Sequence, residues 1–257
     1  MPDLSGKHAL VVGVANKRSI SWAITKALAT AGARIVLTYP SARLEENVRE
    51  LGATLDNPLI LGCDVTSDEQ IAALGASLDK ELGGLDMLVH GAAFAKPEDL
   101  AAPFSQTSRE GFRVALDVSA YSFIALAREV RPLMQKRGGG SMLTLTYLGS
   151  ERVFKNYNVM GVAKAALESS VRYLAAELGP DNIRVNAISA GPIKTLAAMG
   201  ISGFSSILGH YREHSPLRKN TETSEVADAA MFLLSPSGRG VTAEVMMVDA
   251  GFSVMGF

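Results

Sequence analysis

Cysteine, tryptophan and charge of one sign are what this chain has least of. A single thiol, Cys63, excludes an internal disulfide and points to a reducing compartment. It lies in the apolar run Leu59-Ile60-Leu61-Gly62-Cys63-Asp64, which reads as a strand holding a buried, inert thiol rather than a nucleophile. The 25 Lys and Arg balance 26 Asp and Glu to a net charge of −1, so bulk electrostatics give no case for nucleic acid or an anionic membrane. No apolar run approaches the ~18 residues that span a bilayer, so no membrane insertion is expected. Asp3 precedes the first short apolar run, with no basic stretch and no small-residue cleavage site. No signal peptide is therefore expected, and a cytoplasmic protein is. No metal-ligand set is assigned.

What is present is an ordinary globular composition, 47% apolar and 20% charged, over 257 residues. Short apolar runs alternate with helical patterns. Strands are predicted over His8–Val12, Arg34–Thr38, Pro58–Gly62, Asp86–His90, Ser141–Thr146, Ile183–Ile188 and Glu244–Val248. Most are nearly continuous in Val, Ile and Leu, as in strands buried on both faces of a parallel sheet. Helices are predicted over Ser19–Ala31, Ala42–Leu51, Asp68–Leu82, Arg109–Gln135, Asn158–Leu178 and Ser224–Leu234. Ser67-Asp68-Glu69-Gln70 reads as a capping box opening the third helix. This alternation predicts an α/β fold, a single-domain Rossmann-like doubly wound parallel sheet of about seven strands with helices on both faces. No linker, low-complexity segment or solenoid repeat divides residues 1–257. The segment from Lys194 to Ser215 breaks the rhythm, with Gly200, Gly203 and Gly209 set among apolar residues. Both a mobile lid over an apolar pocket and a plain surface helix with its loop fit it.

The first strand runs into Gly13-Val14-Ala15-Asn16-Lys17-Arg18-Ser19-Ile20, and a helix follows. A helix N-terminus at the carboxyl end of a parallel strand suits a pyrophosphate. The usual glycine fingerprint is incomplete, with Ala15 and Ser19 standing where glycines are common, and Ser19 also suits a helix cap. The second strand ends Thr38-Tyr39-Pro40-Ser41, without the acid that reads a ribose 2′-hydroxyl and without a basic cluster for a 2′-phosphate. Arg43 lies farther along. The absence of that cluster favours NADH over NADPH. Asp64, at the end of the third strand, is free to read an adenine amino group or to be a solvated turn aspartate, since Ser67 already supplies the cap.

The most informative stretch runs from Tyr147 to Lys164. Tyr147 ends a strand, Tyr157 follows ten residues on, and Lys164 seven after that, two helical turns along one face. Two phenols and an ammonium thereby gather in one volume. Tyr donates to a developing oxyanion, while Lys holds hydroxyls and supplies positive charge, a combination suited to hydride transfer onto a polarised carbonyl system. Gly161, between them on that face, is read as removing bulk. Each residue also has a structural reading: a core aromatic, a helix-entry aromatic, an exposed helix lysine.

Gly13-x5-Ser19-Ile20, Tyr147-x9-Tyr157-x6-Lys164, Asn156-Tyr157-Asn158-Val159-Met160-Gly161 and Arg184-Val185-Asn186-Ala187-Ile188-Ser189-Ala190-Gly191-Pro192-Ile193-Lys194-Thr195 resemble the enoyl-acyl-carrier-protein reductases of bacterial type II fatty acid synthesis. That family is a divergent branch of the short-chain dehydrogenases/reductases, and the resemblance covers essentially the whole chain. It implies that Gly13, Ser19, Ile20, Asp64, Val65, Ala92, Lys164, Ile193, Lys194, Thr195, Leu196 and Ala197 contact the dinucleotide. It implies that Lys164 holds the nicotinamide ribose and Thr195 the pyrophosphate. Tyr147, Tyr157 and Lys164 form the catalytic group, Ala95 with the two tyrosines lines the substrate site, and about 195–214 is the substrate lid. The implied partners are an acyl carrier protein bearing trans-2-enoyl chains and three further copies in a homotetramer.

The chain departs from the family pattern in two places. Relatives commonly carry Ser-Ile after the histidine of the fourth strand, where this chain reads His90-Gly91-Ala92-Ala93. The cations relatives place on the lid to meet the acidic carrier are thinned to Lys194, Arg212, Arg218 and Lys219. Two competing readings remain. A ketone or alcohol reductase of the wider superfamily needs Tyr-x3-Lys, and Gly161 stands where that lysine belongs. A silent dinucleotide-binding or sensing protein is allowed by Gly91 and Ala92 but argued against by Tyr157 and Lys164.

Overall fold

The computed structural model describes residues 2–195 and 203–256. Seven strands form one sheet: β1 (His8–Val12), β2 (Arg34–Tyr39), β3 (Leu59–Gly62), β4 (Met87–His90), β5 (Gly140–Thr146), β6 (Ile183–Ala190) and β7 (Val245–Val248). Their order is β3-β2-β1-β4-β5-β6-β7, with every pairing parallel. The chain first winds outward through β2 and β3, then returns past β1 to lay down β4. The switch point of the sheet therefore lies between β1 and β4, where such folds bind ligands.

Alternation along each strand divides the core. Leu10, Val12, Val36, Leu88, Met142 and Val185 face one apolar layer, packed by α3 (Asp68–Leu82), α6 (Ser122–Lys136) and α7 (Asn158–Leu178). Ala9, Val11, Ile35, Leu37, Met87, Val89 and Leu143 face the other, packed by α1 (Ile20–Thr30), Val48 of α2 (Ala42–Gly52) and α9 (Thr223–Leu234). With apolar side chains required on both sides, the strands read as unbroken hydrophobic runs. The short α4 (Pro97–Ala101), α5 (Arg109–Leu116) and α8 (Phe204–His214) complete the helices among the described residues.

The single helix expected over Arg109–Gln135 is instead α5 and α6 joined by a π turn, Asp117–Tyr121. That turn aims Ser119 at Phe94, whose N–H donates to Ser119 Oγ at 3.0 Å. It also places Ser122 beneath His90. A π turn inside a helix often marks a functional wall, and this one faces α7. The capping box at α3 is half formed. Ser67 Oγ accepts from Gln70 N at 3.2 Å, but the Gln70 side chain reaches past Ser67 to accept from Asp64 N at 2.8 Å.

Candidate active site

Gly13 and Gly91 close the switch point. Gly13 has φ +94°, and a Cβ on it would lie 2.4 Å from the Gly91 carbonyl carbon. A Cβ on Gly91 would meet Ser21 Oγ at 2.1 Å. The β1 and β4 ends thus touch backbone to backbone, with Ser21 filling the space a side chain at 91 would take. This gives the unusual Gly91 a local physical reason and leaves a backbone-lined floor suited to a dinucleotide.

Ser19 caps α1, accepting from Trp22 N at 3.3 Å and donating to Asn16 O at 2.8 Å. The N–H groups of Ile20 and Ser21 are left at the helix entry, where the helix dipole favours an anion. At the β3 end, Asp64 Oδ1 accepts from Thr66 N at 3.0 Å and Thr66 Oγ1 at 2.8 Å, while Val65 is buried in the core. Tyr39 covers Gly62 and takes Arg49 against its ring, 5.8 Å from guanidinium carbon to centroid. Arg43 is exposed. Ala92 is half-buried and Ala95 buried, the latter packed with Ala115, Val159, Met160 and Ala163 against Tyr157. After β6, Ile193 packs on the core, Lys194 is exposed, and Thr195 N donates to Ile193 O at 2.7 Å. Leu196 and Ala197, with the part of the expected lid up to residue 202, lie outside the described residues.

The two tyrosines come together, and Lys164 follows two turns along α7 from Tyr157. Tyr147 leaves β5 in an extended conformation, and Tyr157 is the residue immediately before α7. Their rings meet edge to face with centroids 5.0 Å apart. The close approach rests on two glycines. A Cβ on Gly149 would lie 2.4 Å from the Tyr157 ring, and one on Gly161 would lie 2.6 Å from Gly149 O. Gly161 therefore admits the backbone of the 148–150 turn, rather than merely clearing space between polar groups as the spacing suggests. Asn158 anchors the start of α7, donating to Leu100 O at 2.9 Å and Ala102 O at 2.7 Å.

Lys164 is 7% exposed and donates from Nζ to Leu145 O at 2.7 Å, leaving further protons to donate. Burial pulls its ammonium down to about 8, against the opposing pull of Glu168 one turn along. Glu168 is itself buried and accepts from Thr146 Oγ1 at 2.5 Å. Burial pushes Tyr147 up to about 12, while a hydrogen bond from Tyr211 pulls the other way. Burial lifts Tyr157 well above the ordinary phenol range, with Tyr147 and Glu168 adding to it. Both phenols are therefore protonated donors at neutral pH. Behind them, burial and then the Lys164 charge hold His90 down at about 3. A neutral imidazole has one donor and one acceptor nitrogen. Ser122 spends its proton on Val118 O at 2.7 Å, so His90 Nε2–H donates to Ser122 Oγ and Nδ1 accepts from Thr144, both at 2.8 Å.

Spacing did not single out Glu168, His90 or Tyr211. Glu168 had a signal, since it stands four residues after Lys164 and hence on the same helix face. His90 ends a strand beside the switch point. Tyr211, 64 residues from its partner Tyr147, had none. The arrangement is a pair of un-ionised phenols beside a buried cation, on a glycine floor shaped for a dinucleotide. It can hold a carbonyl oxygen while charge builds on it.

A family model described as enoyl-(acyl carrier protein) reductase matches residues 13–253. Among curated relatives, the enoyl-[acyl-carrier-protein] reductase [NADH] FabI of Bacillus cereus is 52% identical, covering 100% of both chains. The enzyme of the same name from Bacillus subtilis is 51% identical, over 98% of each chain. The crystal structure of the Bacillus cereus enoyl-acyl carrier protein reductase with NADP+ and indole naphthyridinone superposes with a TM-score of 0.97, at 52% identity and 100% coverage of both chains.

Proposed function

The chain belongs to the enoyl-acyl-carrier-protein reductase family, and we propose that Tyr157, Tyr147 and Lys164 carry its chemistry. It is an oxidoreductase that reduces the trans-2 double bond of enoyl thioesters to the saturated acyl thioester with NADH, the last step of the fatty acid elongation cycle. Its substrate is the enoyl chain carried by acyl carrier protein.

The dinucleotide fits the residues present. Gly13 and Gly91 let the ends of β1 and β4 pack backbone to backbone at the switch point, and the entry of α1 offers N–H groups for the pyrophosphate. Lys164 retains donors for ribose hydroxyls. Ser19, Ile20, Asp64, Val65, Ala92, Ile193, Lys194 and Thr195 line the same strand ends, and we assign Leu196 and Ala197 to the run that continues from them. NADH, when bound, supplies the hydride that reaches the β-carbon. The electron pair of the double bond then moves onto the thioester oxygen as an enolate. Tyr157 donates to that oxygen and Lys164 adds positive potential. Tyr147 stands alongside to polarise the thioester carbonyl, and Ala95 belongs to the wall behind Tyr157. A proton taken up at the α-carbon completes the reduction, so that one hydride and one proton are added in all.

One observation carries the assignment: two half-buried phenols meet with ring centroids 5.0 Å apart, at the entry of the helix that carries the buried Lys164 ammonium. Replacing Tyr157 by Phe tests it. Loss of one oxyanion donor is expected to lower kcat roughly 10²- to 10³-fold with a crotonyl thioester, while NADH binding, followed by fluorescence, persists. Undiminished turnover removes Tyr157 from the reaction.

The whole of 1–257 acts as one catalytic domain in this reading, with 195–214 as its substrate lid. A homotetramer is supported by two exposed apolar faces. One carries Phe112, Tyr121, Ile124, Val162 and Tyr173 on α5 to α7, and the other carries Leu217, Met247 and Val254 around the edge strand β7. A cytoplasmic setting accords with the single buried thiol, which burial pushes up to about 11. Among the described residues no helix is long and apolar enough to cross a membrane.

A further inference from the structure

Tyr211 belongs to α8, in a segment rich in glycine and serine, yet it is 1% exposed. Its ring stacks on Phe252, beyond β7, with centroids 3.6 Å apart and planes 18° from parallel. Phe154 packs against Tyr147 at 4.9 Å and against Tyr211 at 6.3 Å. Leu148 and Ile207 complete this small apolar cluster. Inside it the Tyr211 hydroxyl donates to Tyr147 Oη at 3.2 Å. A buried phenol needs a partner, and among the described residues Tyr147 is the one Tyr211 has.

The two hydroxyls are not equivalent. Tyr147 is half-buried and lies edge-on to Tyr157, whereas Tyr211 is sealed behind it. A hydroxyl that accepts one hydrogen bond keeps its own proton to give, and gives it more strongly because the accepted bond polarises it. The two hydroxyls therefore form a sequence from the interior outward: Tyr211 donates to Tyr147, and Tyr147 donates toward the position where the thioester oxygen must lie.

We propose that Tyr211 is a positioning residue for the enoyl reduction, its hydroxyl fixing the Tyr147 hydroxyl so that Tyr147 donates to the thioester oxygen. The proposal rests on the reading of Tyr147 and Tyr157 as the site of reduction. It involves no net transfer through the pair: both phenols keep their protons, and the bond from Tyr147 strengthens as the oxygen gains charge. Because Tyr211 rides on α8, the polarising bond is made only when α8 is docked against Phe252. Docking of this helix and polarisation of the substrate thereby become one event.

A double-mutant cycle decides it. Tyr211→Phe, Tyr147→Phe and the double variant are compared with the parent in NADH oxidation using a trans-2-enoyl coenzyme A. kcat is normalised to NADH-binding sites, so that any unfolded fraction drops out. Tyr211→Phe keeps the ring and its stack, and is expected to lower kcat about five- to tenfold, the scale of one hydrogen bond. The dissociation constant for NADH should change less than twofold. In the Tyr147→Phe background the second substitution should cost less than twofold. An unchanged kcat in Tyr211→Phe overturns the proposal. So does an equal loss in both backgrounds, which would make Tyr211 a packing residue only. If the parent fails to oxidise NADH with the enoyl substrate, or Tyr157→Phe is unimpaired, the functional reading itself fails. With the parent active and Tyr157→Phe impaired, the cycle judges Tyr211 alone.

Discussion

Lys164 sets the pH behaviour of the site at the scale of one residue. Burial pulls its ammonium to about 8 and Glu168 resists that pull. Besides Glu168, the ionisable group that registers its charge is His90, which stays neutral down to about 3. NADH affinity that depends on the Lys164 charge should hold below about 8 and weaken above it. Glu168→Gln removes the resisting charge, so the weakening should begin at lower pH. The dissociation constant for NADH, measured from pH 6 to pH 9, reads this directly; superposable profiles would rule it out. Stability runs the other way. The folded value near 8 lies below the ordinary 10.5, so between those limits the unfolded chain binds the extra proton. This group's burial penalty is therefore full below about 8 and is relieved as pH rises toward 10.5. The lysine weakens the empty fold at the pH where, on the proposed assignment, it serves the cofactor. His90 has the same sign in a lower pH window. Its folded value is depressed from 6.5 to about 3, so its contribution is complete above 6.5 and is lost as pH falls toward 3.

Two elements, the 148–150 turn and the first turns of α7, meet through Gly149 and Gly161. Gly to Ala inside a helix ordinarily stabilises by about 1 kcal/mol. At 161 the added methyl would sit 2.6 Å from a backbone carbonyl, which cannot swing away as a side-chain tip can. The steric cost wins, and the turn must move with the Tyr147 and Tyr157 rings it separates. Gly161→Ala is expected to lower kcat at least about tenfold through misplacement of the donors. NADH binding through Lys164, farther along α7, should change much less. A parallel loss of both would place the damage in the helix rather than in the turn. Element by element, the sequence was legible wherever one local rule decides. Strands buried on both faces show as continuous Val, Ile and Leu runs, and each predicted strand lies within two residues of its observed bounds. The π turn at Asp117–Tyr121 was not legible. One extra residue in a helical turn leaves the apolar period nearly intact, and its cause lies in the contacts of Ser119 and Ser122 with β4 and the loop after it. Gly161 was placed correctly and explained wrongly, because the backbone it admits comes from another element.

At the scale of the whole molecule, the parallel order of the sheet brings the ends of β1, β4, β5 and β6 to one edge, and the site follows from it. Tyr147 and Lys164 were readable because strand and helix follow one another in the chain. Tyr211 and Phe252 were not, because the stack that buries them closes only once α8 and the segment after β7 have folded over the same edge. The molecule's charge bears on how substrate arrives. A net charge of −1 offers an acidic carrier no long-range attraction, so docking depends on the few cations near α8. Two of the four are already engaged: Lys219 is paired with Glu225, and Arg218 donates to the Glu213 carbonyl. Lys194 and Arg212 are exposed and keep more of their field for a partner. Steering by two such charges raises an association rate only modestly and is screened within about 8 Å at physiological ionic strength. The enzyme should therefore favour carrier-linked over coenzyme A-linked enoyl chains by less than about tenfold in kcat/KM. That preference should shrink as salt is raised, and Arg212→Ala should reduce it with kcat unchanged on the coenzyme A substrate. A large preference for the carrier that persists at high salt would show that the carrier is gripped by direct contacts rather than steered by charge.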